Sequence, residues 1–86
     1  MAKIKIYTSP FCGYCHQAKA LLNAKNVAFE EIDVVTHPGR RQEMAGLTGS
    51  RSVPQIFVDG ELIGDCDTIH NLDAKGVLNP MLGIAG

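Results

Sequence analysis

The sequence predicts an α/β fold, a mixed four-stranded sheet flanked by three or more helices in the order β-α-β-α-β-β-α. Three observations support this. Lys3-Ile4-Lys5-Ile6-Tyr7 alternates with a period of two. Residues 13–25 set Ala18, Leu21, Leu22 and Lys25 at i, i+3, i+4 and i+7, the stripe of an amphipathic helix. Val53-Pro54-Gln55-Ile56-Phe57-Val58, Asp59-Gly60 and Glu61-Leu62-Ile63 read as a hairpin, because Asp-Gly supplies the positive φ angles of a two-residue type I′ turn. A strand, a crossover helix and a second strand connect in the right-handed sense, so the first two strands lie parallel, and the hairpin adds antiparallel pairing.

In order along the chain, the first strand places Ile4 and Ile6 on one face, with Tyr7 expected at the strand surface. Lys3 and Lys5 stand against a fully sandwiched strand, which would be apolar on both faces. Ser9-Pro10 breaks this strand, and the first helix follows. Val27 to Val34, with Phe29 and Ile32, is expected as the second strand, although its alternation slips at Glu30-Glu31. Thr36-His37-Pro38-Gly39 is punctuation, and Arg40 to Leu47, with Met44 and Leu47 apolar, forms a short helix stopping near Gly46 or Gly49. After the hairpin, Gly64 ends the run. Asp65, Asp67 or Thr68 caps a last helix through Ile69 and Leu72 to Gly76. No repeat, linker or low-complexity tract interrupts the 86 residues, which are expected to form one domain over 1–86.

Composition narrows the function. Apolar residues are 45% and charged residues 20% of the chain, the balance of a chain that folds around a core. Eight Lys and Arg against nine Asp and Glu give a net charge of -1, which offers no footprint for nucleic acid or an anionic membrane surface. Arg40, Arg41 and Arg51 read as a solvated face. The N-terminal MAKIKIYTSPF lacks an apolar leader core and no 18-residue apolar run occurs, so the expected location is the cytoplasm. Three cysteines cannot all pair within one chain, which argues against a disulfide framework.

The chemistry is expected at Cys12 and Cys15. Three residues apart at a helix start, their Cβ atoms lie about 5 to 6 Å apart on one face, within reach of a disulfide. Cys12 meets the free N–H groups and the positive end of the helix, whereas Cys15 sits inside the first turn. Thiols in such surroundings have pKa values from about 3.5 to 7.5, against about 8.5 for a free thiol. Cys12 is therefore the expected nucleophile and Cys15 the resolving thiol. Two other readings use the same residues. The cysteines can be small core hydrophobes, or Cys12, Cys15, Cys66 and His70 can form a tetrahedral zinc site by residue type. A Cys-x-x-Cys pair at a strand-to-helix junction favours the redox reading, and a well-patterned core does not need zinc to fold; the expected metal set is none. His16 is expected to point to solvent, Cys66 to be a half-buried cap residue or a second redox thiol, and Tyr14 to stand beside the reacting sulfur.

The chain resembles the glutaredoxins, of the short bacterial type, over nearly its whole length. The match lies in Ile6-Tyr7-Thr8, Cys12-Gly13-Tyr14-Cys15-His16 with Ala18-Lys19-Ala20-Leu21-Leu22, Ser52-Val53-Pro54-Gln55-Ile56-Phe57, and Ile63-Gly64-Asp65-Cys66-Asp67. The resemblance implies a thioredoxin-like fold with Pro54 in the cis form facing the cysteines. It also implies glutathione as co-substrate in a groove beside Cys12, with protein-glutathione mixed disulfides and protein disulfides as substrates. In that groove Val53 would pair its backbone with the cysteinyl part, Cys66 and Asp67 would hold the γ-glutamyl end, Tyr14 and Gln55 would flank the cysteinyl and glycyl parts, and Pro54 and Gly64 belong to the same expected binding set. The general physics agrees, since a carboxylate suits a helix N-terminus and a backbone beside a cis-proline can receive a peptide as an added strand. The chain departs from the family at Gly13, where proline is common, at Ser9, where lysine is common, and at Asp65, where a second glycine is common. Arg51 and Lys19 are the candidates to replace the lysine. Gly13 and Tyr14 also resemble members that hold a [2Fe-2S] cluster between two subunits, so the expected state is a monomer, or a dimer when cluster-bound.

Overall fold

In the computed structural model, which describes residues 2–84, the chain runs β1 (Ile4–Thr8), α1 (Gly13–Ala24), β2 (Glu30–Asp33), α2 (Pro38–Thr48), β3 (Gln55–Val58), β4 (Glu61–Gly64), α3 (Cys66–Ala74) and α4 (Leu78–Met81). The expected domain limits at 1 and 86 fall outside the described residues. The sheet order is β2-β1-β3-β4. β1 pairs parallel with β2, from Lys5 opposite Glu30 to Thr8 opposite Asp33, and antiparallel with β3. β3 pairs antiparallel with β4, and the register shifts between Ile56, opposite Gly64, and Phe57, opposite Leu62. Asp59 (φ 52°) and Gly60 (φ 82°) both take the left-handed conformation expected of the hairpin.

The period-two alternation of β1 sorts the core into two layers. Ile4 and Ile6 join Ala18, Leu22, Ile56, Val58, Ile69, Leu78 and Leu82 beneath α1, α3 and α4. Tyr7, on the other face, packs with Ile32, Val34, Met44 and Phe57 beneath α2. Tyr7 is thus fully buried rather than a surface residue. β1 is a central strand, and α2 crosses above this end of it. The Tyr7 ring meets Phe57 edge-on at 5.8 Å, and its hydroxyl donates to the Glu43 carboxylate on α2. Lys3 and Lys5 lie on the same face, where α2 leaves a cavity of about 360 Å³ that they line with Leu47 and Phe57. That open corner is why a central strand tolerates lysines.

Several boundaries differ from the sequence pattern for local reasons. β2 begins at Glu30 rather than Val27, because only Glu30 to Asp33 find ladder partners; Val27 and Phe29 pack against the first core layer from outside the ladder. β3 begins at Gln55, after Pro54, which has no N–H to donate. α2 is longer than Arg40 to Leu47: Pro38 sits at its start, where the missing N–H costs nothing, and Gly49 (φ 76°) ends it. Met44 is buried in α2, but Leu47 is mostly exposed. Of the three candidate caps for α3, Asp65 is the one used. α4 has no counterpart in the sequence pattern. Lys25, the C-cap residue of α1, reaches Asp73 Oδ1 and Asn79 Oδ1, each at 2.6 Å, and so ties the end of α1 to α3 and α4.

Candidate active site

The loop after β1 delivers Cys12 as the N-cap of α1, in extended conformation (φ -105°, ψ 112°). A sulfur here takes the place of the usual cap oxygen: Cys12 Sγ accepts the backbone N–H of Cys15 at 3.2 Å. The same thiol lies 3.7 Å from the Val53 carbonyl oxygen, to which it donates. As the N-cap residue, Cys12 sets this sulfur at the positive end of the α1 dipole. Cys12 is partly exposed, while Cys15 is completely buried. Burial first, and then the neighbouring Cys12 sulfur, push the Cys15 thiol up to about 12. One sulfur is therefore partly exposed, accepting one backbone N–H and donating to one carbonyl oxygen, and the other is held as a buried neutral thiol. All three cysteines are free thiols.

Beside this pair is a cleft of about 230 Å³, lined by Tyr14, Ser52, Val53, Pro54, Asp65, Cys66 and Asp67. The Val53-Pro54 peptide bond is cis. Gln55 does not line the cleft; it is buried, and its amide nitrogen donates back to the Ser52 carbonyl oxygen at 3.0 Å. Gly64 lies behind the cleft with φ 143°, and a Cβ there would come within 2.8 Å of the Thr68 side chain. Asp65 caps α3 by accepting from Thr68 N at 3.0 Å and Thr68 Oγ1 at 2.9 Å, and these bonds hold its carboxyl below the usual carboxylate range. Cys66, the first residue of α3, is buried rather than half-buried, and burial, followed by Asp67 and Asp65, pushes its thiol up.

Of the residues expected at a site, Tyr14, Val53, Pro54, Cys66 and Asp67 surround the cleft, Cys12 adjoins it through Val53, and Cys15, Gln55 and Gly64 lie behind. The zinc set is not assembled: among the described residues no three His, Cys, Asp or Glu side chains converge on a metal position. His70 Nδ1 instead donates to the Cys66 carbonyl oxygen at 2.8 Å. His16 is exposed, with Nε2 3.2 Å from the Pro10 carbonyl oxygen. Lys19, a candidate for the missing lysine, is engaged by Glu31 at 2.9 Å, and Arg51 is exposed and outside the cleft lining. The sequence pattern misses Phe11, which precedes Cys12 in the chain and is 91% exposed; Tyr14, two residues after Cys12, is exposed as well. It also misses that Asp65 faces the cleft as well as capping α3; the cap signal is present, but the cleft is made by a loop distant in sequence.

A mixed four-stranded sheet with a Cys-x-x-Cys pair at the start of its first helix, set beside a cis-proline loop, defines a thiol-disulfide oxidoreductase of thioredoxin-like fold. Comparison with known proteins narrows the class. The glutaredoxin family profile matches residues 4–63. Glutaredoxin 3 of Escherichia coli is 48% identical over 82 residues, covering 95% of this chain and 99% of that protein. A glutaredoxin of Pseudomonas aeruginosa is 42% identical over 82 residues, covering 95% and 98%. Among solved structures, a buckwheat glutaredoxin-glutathione complex superposes with a TM-score of 0.89 at 27% identity, over 98% of this chain and 83% of that one. The solution structure of glutaredoxin from Brucella melitensis gives 0.84 at 41% identity, over 95% and 89%. The chain belongs to the glutaredoxin family and is of the glutaredoxin 3 type.

Proposed function

We propose that this chain is a glutathione-dependent oxidoreductase that reduces protein-glutathione mixed disulfides, with Cys12 as the nucleophile and Cys15 as the resolving thiol. The observation that carries this reading is the contrast between the two sulfurs, one partly exposed and hydrogen-bonded at a helix N-terminus, the other buried and neutral. Cys12 thiolate attacks the glutathione sulfur of the substrate. A Cys12-glutathione disulfide forms, the substrate disulfide breaks, and the departing protein thiolate takes up a proton. A second glutathione thiolate then attacks the glutathione sulfur on Cys12, releasing glutathione disulfide and restoring the Cys12 thiolate. Protein disulfides follow a second route, in which Cys15 displaces the substrate from Cys12 and leaves a Cys12–Cys15 disulfide for two glutathione molecules to reduce. Such exchange runs at a potential of about -200 to -230 mV in glutaredoxins.

Glutathione as the co-substrate is supported by the buckwheat complex and by the form of the cleft. In this reading the Val53 backbone pairs with the cysteinyl unit beside Pro54 and Tyr14 covers it, while Gln55 and Gly64, outside the lining, support the Ser52 loop and the start of α3. Cys66 and Asp67 at the start of α3 receive the γ-glutamyl end, where Asp67 suits its ammonium. Phe11 and Tyr14 form the apolar rim against which a protein substrate docks. The unit that acts is the single domain 1–86, monomeric, in the reducing cytoplasm. No helix among the described residues is long and apolar enough to cross a membrane.

The test compares Cys12→Ser and Cys15→Ser in turnover of a glutathionylated peptide. Cys12→Ser is expected to be inactive and Cys15→Ser to keep substantial activity; equal loss in both rejects the one-cysteine route. A visible iron-sulfur spectrum in anaerobically purified protein, with Cys12 lost as a nucleophile, would instead make Cys12 a cluster ligand.

A further inference from the structure

The lining of the cleft includes two acidic side chains, Asp65 and Asp67, and no lysine or arginine. Lys19 is held 2.9 Å from Glu31, and Arg51 lies outside the lining. The N-terminus of α3, otherwise receptive to anions, already has a carboxylate of its own, because Asp65 accepts the Thr68 N–H at 3.0 Å. Glutathione brings two carboxylates and one ammonium group, so as a neutral thiol it carries a net negative charge. The charges of cleft and co-substrate are therefore poorly matched except at the ammonium.

We propose that Asp65 is a specificity-determining residue for the thiol co-substrate: its carboxylate makes the cleft favour the ammonium end of a thiol and disfavour each free carboxylate. A glutathione with a masked carboxylate is then a better co-substrate, relative to glutathione, than it would be in an uncharged cleft. The inference rests on the proposed use of glutathione and adds what this chain does with the charges of that molecule. One unit charge acting across an open, water-filled cleft is worth a change on the order of two- to fivefold, reduced by added salt.

Asp65→Asn isolates the charge, because asparagine caps a helix about as well as aspartate. The primary measurement is the ratio of kcat/KM for glutathione monoethyl ester to that for glutathione, in the parent and in Asp65→Asn. Intrinsic differences between the two thiols cancel in this comparison. The ratio is expected to fall about two- to fivefold in the variant at low salt, and the difference is expected to shrink at high salt. A ratio that Asp65→Asn leaves unchanged, with both thiols used, overturns the proposal while leaving the glutathione reading intact. Should neither thiol be used, the glutathione reading fails and alkylation of Cys12 decides this proposal. Iodoacetate is anionic and iodoacetamide neutral, so the iodoacetamide-to-iodoacetate rate ratio must fall in Asp65→Asn by a similar factor. An unchanged ratio there overturns it.

Discussion

Gly64 joins the sheet to the cleft, and Gly64→Ala tests that join directly. It pairs with Ile56 where the β3–β4 register shifts, and the chain turns straight from it into Asp65 and the cap of α3. With φ at 143°, it occupies backbone space that side-chain-bearing residues avoid, at a cost of about 1–3 kcal/mol. The new Cβ would also lie 2.8 Å from Thr68 Cβ, Cγ2 and Oγ1, which are close to the helix backbone and not the end of a flexible chain. Moving Thr68 strains both of its bonds to Asp65, and losing a cap costs about 0.5–2 kcal/mol. Together the substitution should destabilise by about 2–4 kcal/mol. At roughly 0.05–0.15 kcal/mol per residue, a domain of this size has about 4–13 kcal/mol in all.

Urea denaturation of the reduced protein measures this loss. A second background separates its two parts. In Thr68→Gly there is no Cβ to meet, so Gly64→Ala should cost about 1 kcal/mol less there than in the parent, and the φ cost should remain. A loss below about 0.5 kcal/mol in the parent would refute the reasoning, since strand end and helix start would then relax freely. Equal losses in the two backgrounds would remove the steric part alone.

Two further predictions concern titration and access. The Tyr7 phenol is pushed up from 10.0 to about 12 by burial and then by its hydrogen bond to Glu43. The unfolded chain therefore ionises first, so Tyr7's contribution is intact below about pH 10 and is lost as pH rises toward about 12. At about pH 11 this amounts to about 1.4 kcal/mol, one unit of linkage. Tyr7→Phe should flatten that part of the alkaline limb in urea titrations, and an unaltered slope would count against the burial argument. Native protein treated with iodoacetamide should gain one adduct, at Cys12, because Cys15 and Cys66 are buried, and three adducts after denaturation. Mass spectrometry reads the count, and native labelling of Cys15 would contradict its placement.

Local signals make some features legible in the sequence, and contacts between distant segments conceal the others. The phase of Ile4 and Ile6, the Asp59-Gly60 turn and the stripe of Ala18 and Leu22 depend only on neighbours a few residues away. The Cys-x-x-Cys pair at a helix start is likewise local, so the placement of the two cysteines is legible from its own short stretch of chain. Tyr7 departs from its expected surface position because a strand's own pattern cannot reveal that α2 crosses above it. Lys25 breaks an apolar stripe in sequence, yet its amine is satisfied by Asp73 and Asn79. α4 spans a single turn, too short for a periodicity, and is fixed by burial of Leu78 and Leu82. The cleft is the least local feature: its wall comes from the 52–54 loop and the start of α3, and resemblance alone points to Pro54 and Asp67. The acidic character contributed by Asp65 emerges only where those segments meet.

In the proposed function, the order of the two thiol steps follows from the arrangement of the sulfurs. Cys15 is held neutral by burial and, secondarily, by its interaction with the Cys12 sulfur, while the backbone near Ser9 and the charge of Lys19 act the other way. When Cys12 forms a mixed disulfide, its sulfur no longer makes the interaction that helps to hold the Cys15 proton. Burial remains, but the opposing groups stay in place, so Cys15 becomes easier to ionise only after Cys12 has reacted. Under the proposed function, Cys15 is thus kept from competing for substrate until a disulfide exists for it to attack. This predicts that loss of glutathione from Cys12-glutathionylated protein, followed against pH, has its midpoint below about 12, the value for the reduced pair. A resolving rate still climbing with pH up to about 12 would mean that burial alone sets the Cys15 proton and that the first step does nothing to prepare the second.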